Sequence, residues 1–418
     1  KSLYIVAFSL AFDTTGIAQN NEGQDKVIDL GTQTTPELRK TQAVSTIYSD
    51  ELDKNATTSP YNAIYGLLPG LSVMQNTSWG TDKSRLNVRG RGSLNGDTPL
   101  FVVDGFARPL EYINLSEIES ISVLKDGAAT ALWGGRGANG VVLITTKRGI
   151  YSQKDIKVDY KFGLGFPVNQ PEFADAYTYA KARNEALRYD GLQPDMDEAS
   201  FLSGGNSDLY PNVDWQKEAL RNHTTSHQLD ITFRGGGKRL RYFSVLNYKN
   251  DMGLLNSKYT DYTDRYNSQM KKYFLNLRMN LDVDITDATK LKLSMLGMLR
   301  ETKRPTTSEA TLFEQIFNTP SAAFPVQTLN GFWGSNNVLK TNPIANLADV
   351  GYYKLNQRML QADLRLVQDL SVLTRGLSAE LAIAYDNNAT YQETAKKSFM
   401  YQTIEKGTDG EPIYTNYG

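Results

Sequence analysis

Hydrophobic and polar residues alternate along the second half of the chain, and this pattern predicts long β-strands with two different faces. In the clearest case, every second residue from Tyr273 to Ile285 is apolar, while the residues between them are mostly polar or charged. A strand of about 10 residues or more with one apolar and one charged face fits a barrel wall with lipid outside and water inside. The alternative is one sheet of a soluble sandwich, whose strands usually have about 5 or 6 residues. Length and strict alternation favour the membrane wall.

Six further segments of the second half show strand character, and the connections between all seven differ in length. The seven predicted strands are 156–166, 228–235, 239–250, 273–285, 290–300, 358–369 and 377–391. Short turns are predicted at 235–238, 286–289 and 371–376, and long connections at 167–224, 251–271 and 301–357. Such alternation is typical of a barrel with short periplasmic turns and long outer loops. The first long connection contains a predicted amphipathic helix, 172–189.

Residues 35–149 show shorter strand-like runs that glycine and proline interrupt, which predicts a small α+β domain. The predicted strands are 71–74, 86–89, 100–104, 121–124 and 141–146. Ser59 precedes Pro60 and predicts a helix start, with the stop at Pro69. Asp126 is the predicted N-cap of a helix of small residues over 127–133.

The first residues carry a short apolar run, 3–12, after a basic residue. This run is too short for a membrane-spanning helix, which needs about 20 residues. Its basic start and the small residues after it predict a secretory signal peptide over residues 1–19, followed by a polar linker over 20–34. The alternative is a buried strand or helix.

The amino-acid composition excludes several classes of function. The 418 residues include 45 Lys+Arg and 46 Asp+Glu, so the balanced charge gives no general attraction to nucleic acid. The absence of cysteine excludes thiol catalysis and a disulfide framework. The mean hydropathy of −0.44 would ordinarily indicate a soluble protein. A transmembrane barrel gives the same polar average, because it combines a lipid face with a water face.

Candidate catalytic chemistry is weak throughout the sequence. The glycines in 90–96 and 134–140 imitate nucleotide-binding loops, but their spacing and flanking residues favour tight turns with positive φ. The two histidines, His223 and His227, flank a strand pattern without a set of acidic ligands, so we expect surface or lumen residues. The sequence therefore predicts neither an enzyme nor a bound cofactor.

Three runs in the first domain carry a family resemblance. They are LPGLSV at 68–73, LNVRGRGSLNGDTPLFVVDG at 86–105 and LSEIESISVLKDGAATALWGGRGANGVVLITTKRG at 115–149. In order and spacing they closely resemble the plug domain of the SusC/RagA family of TonB-dependent outer-membrane transporters. The resemblance implies a mainly β fold: an α+β plug over 35–149, then antiparallel transmembrane β-barrel strands with long extracellular loops over 150–418.

The run VIDLGTQ at 27–33 resembles the family's TonB box, although Asp29 interrupts the usual valines. The resemblance implies that the periplasmic protein TonB contacts Val27, Ile28, Asp29, Leu30 and Gly31. It also implies import of oligosaccharides or peptides, a SusD-like surface lipoprotein as a lid, and contact with outer-membrane lipid.

Several side chains are candidates for contacts inside such a transporter. Trp79 in the plug and two loop aromatics, Trp333 and Tyr352, are candidates for stacking on ligand, with loop packing as the alternative. Arg85, Arg89 and Arg91 are candidate partners for acids of the barrel lumen, with solvated surface charge as the alternative.

Two other functions stay open: a TonB-dependent receptor for siderophores or vitamins, and a surface adhesin or glycan-binding protein without transport. The second would need neither a plug nor a TonB box.

The length of the chain carries a further expectation. At roughly 34 residues per strand, the residues after Gly149 suffice for about eight strands, and an eight-stranded barrel is filled by its own side chains. Plugged transporters have 22 strands. We therefore expect the chain to be the N-terminal part of a longer transporter, with about a third of the wall.

Overall fold

The computed structural model describes residues 4–13, 27–29, 34–36, 41–52, 54, 57, 59–74, 84–92, 96–168, 170–260 and 267–417, the first three ranges as backbone only. The predicted ligand contact Trp79 lies outside the described residues, as do Leu30 and Gly31.

The first 149 residues contain ten strands and three short α-helices within the described ranges. The strands are β1 (Tyr4–Asp13), β2 (Val27–Asp29), β3 (Thr34–Pro36), β4 (Val44–Tyr48), β5 (Leu71–Met74), β6 (Arg85–Val88), β7 (Leu100–Val103), β8 (Phe106–Ala107), β9 (Ile118–Leu124) and β10 (Val141–Thr146). The helices are α1 (Ser49–Leu52), α2 (Pro60–Ala63) and α3 (Gly127–Thr130), with 3-10 helices at Leu110–Tyr112, Leu115–Glu117 and Ala131–Gly137.

The remaining residues form longer strands, with helices between them. The strands are β11 (Lys154–Phe166), β12 (Thr224–Gly236), β13 (Leu240–Met252), β14 (Lys271–Asp284), β15 (Thr289–Pro305), β16 (Trp333–Ser335), β17 (Gly351–Asp369), β18 (Ser378–Lys396), β19 (Tyr401–Lys406) and β20 (Pro412–Tyr417). The helices are α4 (Ala176–Tyr189), α5 (Glu198–Ser203), α6 (Trp215–Ala219), α7 (Ser257–Thr260), α8 (Glu309–Asn318) and α9 (Pro343–Ala348).

Residues 41–149 fold around a five-stranded sheet in the order β4-β9-β10-β7-β8, and we call this unit the plug. Strand β10 is parallel to β7, and the other neighbours are antiparallel. Both faces of the sheet are apolar: Ile121 belongs to the larger core cluster and Leu124 to a second one. All five strands predicted for this domain are present, which confirms its α+β character.

The predicted helix starts of the plug are correct, but one predicted helix is much shorter. Asp126 caps α3 by accepting a hydrogen bond from the Ala129 amide at 2.8 Å. Pro60 begins α2 as predicted, yet the Ser59 side chain makes no capping bond. The helix ends at Ala63, and it does not reach Pro69 because Gly66 adopts a φ of +74°, which a right-handed helix does not allow.

As the sequence predicts, described glycines of both runs have positive φ, among them Gly90 and Gly134. The second run is more than a turn, because its residues up to Gly137 belong to a 3-10 helix. Gly140 has a φ of +88°, and a Cβ placed there would lie 2.8 Å from the Val88 Cβ. The positive φ and the close approach of the Val88 side chain therefore explain this glycine without a nucleotide.

An eight-stranded antiparallel sheet, which we call the wall, follows the plug in the order β1-β11-β12-β13-β14-β15-β17-β18. Its last seven strands are the seven predicted from alternation, and the eighth, β1, comes from the apolar run predicted as a signal peptide. A cleaved signal peptide would remove β1, and residues 1–19 stay a predicted signal peptide. Strand β17 begins at Gly351, seven residues before the predicted start at 358.

The two faces of the wall are inverted relative to those of a soluble protein. On β14, Leu275 and Leu277 are 39% and 46% exposed, whereas the alternating residues Asn276 and Arg278 are each at most 1% exposed. Polar residues face the plug, and apolar residues face outward. This arrangement is that of a barrel wall in lipid, so the sheet is part of such a wall.

The long connections fold into a layer with its own core at one end of the wall. Trp215, Leu255, Phe324 and Leu347 are among its buried residues, and β16, β19 and β20 form a small sheet in it. Helix α4 begins at Ala176 instead of 172, because Asp175 caps it by accepting from the Thr178 amide at 2.8 Å. None of the helices in the described part of the chain has the length and apolar character needed to cross a membrane.

Candidate functional site: the interface between plug and wall

Ion pairs and hydrogen bonds, most of them buried, join the plug to the lumen face of the wall. They come from three places in the plug: the 3-10 helix before β9, the segment after β8, and the end of β10. Each place faces the polar positions of wall strands, which the period-two pattern directs inward.

The first contact is centred on Glu117, at the end of the 3-10 helix Leu115–Glu117. Its carboxylate accepts hydrogen bonds from Arg278 Nε at 2.5 Å, from the Asn276 side-chain amide, and from the Asn114 backbone amide at 3.3 Å. Glu117 is 0% exposed and Arg278 is 1% exposed. Burial raises the pKa of Glu117, and the charge and hydrogen bond of Arg278 oppose that rise. Removal of either partner would leave the other buried without compensation.

The second contact is centred on Arg108, after β8. Its Nη1 donates to Asp363 Oδ2 at 2.6 Å, and its Nη2 donates to Asp386 Oδ1 at 2.5 Å. Asp363 lies on β17 and Asp386 on β18, so a single plug residue joins two neighbouring wall strands. Burial disfavours the charged guanidinium, but the two carboxylates outweigh burial and raise the pKa of Arg108. The bidentate geometry is specific to arginine.

The third contact lies where β10 leaves the plug sheet and leads to the wall. Asn280 Nδ2 donates to Thr146 Oγ1 at 2.9 Å and to the Lys147 carbonyl at 2.7 Å. Arg148 pairs with Asp282 at 3.1 Å. These residues continue the lumen face of β14, the same face that carries Arg278.

Apolar contact between plug and wall is small by comparison. Tyr112 of the plug packs with Met298 and Met359 of the wall. Beside them, Arg300 Nη2 donates to the Glu111 carbonyl at 2.7 Å. The plug is therefore held mainly by directional polar contacts.

The N-terminal end of the plug is attached at the edge of its sheet. Strand β4 pairs only with β9 among the described strands. Asp126 Oδ2 accepts from the Ala43 amide at 2.7 Å, and this backbone hydrogen bond is the main cause of the lowered pKa of Asp126. Lys125 Nζ donates to Ser45 Oγ at 2.5 Å. The segment that precedes the plug thus connects directly to an edge strand.

The predicted arginine partners are wrong in part. Arg85 and Arg91 both pair with Asp97, at 3.0 and 3.1 Å, inside the plug. Hydrogen bonding from Arg85 lowers the pKa of Asp97. Arg89 lies near Asp126 and helps to lower the pKa of that residue. The charge partners found for these arginines are acids of the plug that lie near them in the fold, and not the predicted acids of the wall.

The predicted contact residues are not brought together. Val27–Asp29 form β2, which pairs with β3. Trp333 is 4% exposed in the loop core, with its indole nitrogen 3.4 Å from Asp349 Oδ2. Tyr352 lies on the lipid face of β17 and donates to Glu393. These placements give ligand stacking by Trp333 and Tyr352 no support, so stacking stays a prediction for them.

The principal contacts of the interface, Glu117 and Arg108, were missed from sequence. A usable signal existed for their wall partners, because the alternation along β14 places Arg278 on the charged face of a strand. Asp363 occupies an equivalent polar position on β17. The identity of the plug partner depends on how the plug sits, which no local pattern shows.

Comparison with known proteins agrees with this geometry. The family model for the TonB-dependent Receptor Plug Domain matches residues 36–141. The TonB-dependent receptor SusC of Bacteroides thetaiotaomicron is 30% identical over 283 residues, which cover 64% of this chain and 26% of SusC. The TonB-dependent receptor P26 of Formosa agariphila is 28% identical over 281 residues, with coverages of 65% and 26%. The chain thus spans about a quarter of the length of these relatives.

Among solved structures, the RagAB peptide importer in its open-open state matches with a TM-score of 0.70 and 19% identity. The match covers 90% of this chain and 44% of the RagAB chain. At this identity the likeness shows a shared fold of plug and wall.

Proposed function

Because the chain belongs to the SusC/RagA family of TonB-dependent transporters of the bacterial outer membrane, we propose that the protein containing it imports oligosaccharide or peptide nutrients. Import is driven by TonB, which pulls on the N-terminal segment and displaces the plug. No covalent bond of the nutrient is made or broken in this process.

The observation that carries the proposal is the buried ionic docking of the plug. All four residues of the pairs Glu117–Arg278 and Arg108–Asp363 are more than nine-tenths buried. Removing one partner of such a buried pair costs on the order of 3–5 kcal/mol, because the remaining charge stays buried without compensation. A plug held in this way stays closed at rest and requires an applied force to open.

The proposed point of force application is the segment that contains Val27, Ile28, Asp29, Leu30 and Gly31. We expect TonB to bind this segment by strand addition, in which main-chain hydrogen bonds supply the affinity. Force on it reaches β4 first, because β4 is the first strand of the plug sheet after the segment and lies at the edge of that sheet.

The remaining partners follow the family. A SusD-like surface lipoprotein closes the outer side, where the long connections form their folded layer. Ligand contact by Trp79, Trp333 and Tyr352 remains a prediction, and the relatives leave open which nutrient is carried.

The test replaces Val27–Gly31 with glycine and serine in the complete transporter. Uptake of labelled oligosaccharide and peptide libraries should be lost, while ligand binding at the cell surface is retained. The matched control replaces 37–41 in the same way, which preserves the length and leaves the box intact, and uptake should continue. Retained uptake without the box would refute the proposal and favour a binding protein without TonB coupling. Box-dependent uptake of ferric siderophores alone would assign the siderophore alternative.

A further inference from the structure

Three lysines lie side by side on the lipid face of the wall, near the ends of their strands. Lys271 of β14 is directly opposite Lys303 of β15, and Lys303 is directly opposite Lys354 of β17. Neighbouring strands are about 4.8 Å apart, so the three backbone positions span about 10 Å. We call these three residues the cationic row.

The lipid face assignment follows from strand parity. On β14 the residues at odd positions, such as Leu275 and Leu277, are exposed, and the even ones are buried against the plug. Lys271 shares the odd parity. On β17 the lumen-facing Asp363 contacts the plug, whereas Lys354 has the opposite parity and shares the face of Leu360 and Leu364.

The depth of the cationic row follows from strand geometry. From Tyr273 to Val283 the apolar face of β14 covers about 34 Å of strand, or about 26 Å of height at a tilt of about 40°. This equals the apolar band of an outer-membrane barrel, about 25 Å. Lys271 lies two residues beyond Tyr273, about 5 Å further out. The cationic row therefore lies at the level of lipid headgroups.

The long connections identify this level as the outer one. Strand β14 begins at Lys271 directly after the connection 253–270, and β15 ends at Pro305 before the connection 306–350. The opposite rim is different: Thr289, Gln368 and Ala379 are paired there across β15, β17 and β18, and none of them is charged. On the lipid face, these three paired positions at the opposite rim are therefore uncharged, whereas the cationic row carries three lysines.

The nearby carboxylates do not cancel this charge. Glu301 accepts from both Lys303 and Lys354, at 3.1 and 3.2 Å. Glu393, opposite Lys354, accepts from the Tyr352 hydroxyl. Three lysines therefore face two carboxylates.

A fourth cation, Arg358, lies deeper on the same face of β17. Its guanidinium is 5.4 Å from the centre of the Tyr391 ring. A charged group on the lipid face of a wall is costly unless it reaches a polar partner near the interface. The cationic row and Arg358 together have four cations, which is two more than the two nearby carboxylates.

Resting on the membrane orientation of the proposed function, we propose that the cationic row binds the phosphate groups of an outer-leaflet glycolipid. The headgroup phosphates contact Lys271, Lys303 and Lys354, and the acyl chains lie along the exposed leucines below. Lysine ammonium groups bind phosphate as point charges, and clusters of them at a membrane surface recognise anionic headgroups. The lipid is a bound component at a defined site of the wall.

The test measures lipid binding to the detergent-extracted, delipidated complete transporter by native mass spectrometry. The probes are diphosphoryl lipid A, lipid A without phosphates, and inorganic phosphate alone. The wild type should bind diphosphoryl lipid A at least tenfold more tightly than the dephosphorylated form. The triple variant Lys271→Gln, Lys303→Gln, Lys354→Gln should lose tenfold to hundredfold in affinity, since each lysine strengthens binding to an anionic surface about fivefold.

The matched control neutralises three exposed lysines of the outer connections, Lys181, Lys217 and Lys340, and should bind as the wild type does. Arginine at the three row positions should restore binding. Equal affinity of the glutamine variant and the wild type would overturn the proposal. So would equal binding of both forms of lipid A, or row-dependent binding of inorganic phosphate without lipid.

Failure of this proposal is distinguishable from failure of the proposed transport. The glutamine variant should keep the heat-modifiable gel mobility of a folded barrel and its TonB-dependent uptake. Loss of transport in the box variant leaves lipid binding unaffected, and loss of lipid binding in the row variant leaves TonB coupling intact.

Discussion

The Glu117 and Arg278 pair gives the sharpest test of the docking interface. Arg278→Met removes a side chain that is 1% exposed and leaves a carboxylate that is 0% exposed. Breaking a buried pair by removing one partner costs about 3–5 kcal/mol. At about 1.4 kcal/mol per factor of ten, the released plug should become roughly 150-fold to several thousandfold more populated.

The absence of cysteine from these 418 residues suits a direct assay in the complete transporter, with any cysteine outside them replaced by serine. Ser116 is next to Glu117, and its hydroxyl oxygen is buried. A single Ser116→Cys substitution therefore reports plug release as the rate of thiol labelling, normalised to a cysteine at the exposed position Lys181. Arg278→Met should accelerate labelling by the factor above.

Two further variants separate charge burial from general damage. Glu117→Gln combined with Arg278→Met removes both charges, and labelling should return to within about tenfold of the wild type, because no buried charge is left unpaired. Glu380→Gln removes an exposed lumen carboxylate that pairs with Arg365, while Arg365 keeps its hydrogen bond to the Asp104 carbonyl of the plug at 2.8 Å. An exposed pair contributes at most about 1 kcal/mol, so labelling should rise less than about fivefold. Equal labelling of Arg278→Met and Glu380→Gln would refute the reasoning.

The pH dependence adds a signature that structural damage alone does not produce. Burial raises the pKa of Glu117 in the docked plug above its usual value of 4.5, so the docked state binds the proton more tightly than the released state. Docking is therefore favoured below pH 4.5 and weakens as pH rises through the raised pKa. Loss of Arg278 raises that pKa further, so normalised labelling of Arg278→Met should increase with pH more steeply than that of the wild type. The double variant Glu117→Gln, Arg278→Met should lack the increase of labelling with pH that comes from Glu117.

Three other substitutions test separate parts of the structure. Arg108→Lys keeps the charge but loses the bidentate contact to the wall, so Ser116→Cys labelling should rise several-fold, less than in Arg108→Gln; equal rates would contradict a geometric role. Asp126→Ala removes the cap of α3 and the hydrogen bond to the Ala43 amide, which should destabilise the contact between α3 and the start of β4 by about 1 kcal/mol. Amide hydrogen exchange in β4 should become faster. Because the pKa of Asp126 is lowered, the β4 amides of the wild type should also lose protection from exchange as pH falls below about 3.8. Leu277→Arg places a charge on the lipid face at a cost of about 2–4 kcal/mol and should reduce the yield of heat-modifiable barrel, whereas Leu277→Met should not.

The wall was predictable from sequence because its pattern is local. Lipid on one side and water on the other force a period of two in every strand, so all seven predicted strands exist. The boundaries were less predictable where that constraint ends. Residues 351–357 belong to β17 but lie at its outer end, where both faces meet polar surroundings, and alternation fades there.

The apolar run at the N-terminus shows a different limit. A ten-residue, mostly apolar run suits the hydrophobic part of a signal peptide as well as a strand, because both require a short hydrophobic segment. The structure pairs these residues with β11. Pattern alone does not separate the two, and N-terminal sequencing of the mature protein does.

The docking contacts were the least predictable part because they join residues far apart in sequence. Arg85 and Arg91 stood out by their clustering, and the clustering reflected a shared plug acid, Asp97. Arg108 stands alone in its segment, and only the position of the plug brings it to β17 and β18. The partner of an isolated charged residue therefore depends on the three-dimensional position of the plug, which local sequence does not show.

The plug has an apolar core and a polar docking surface, and this difference determines whether a pull on the N-terminal segment unfolds the plug or releases it from the wall. The plug core is a continuous apolar cluster that includes Ile121 and Ile144, and exposing it forfeits hydrophobic stabilisation that water does not replace. The docking surface is mostly polar, and water can take over its hydrogen bonds once the groups separate. Force on the N-terminal segment is therefore resisted more strongly by the core than by the interface after the first ion pair breaks. If this reasoning holds, Arg278→Met lowers the force needed to release the plug and leaves the force needed to unfold its sheet unchanged, a difference that single-molecule pulling on the N-terminal segment measures directly.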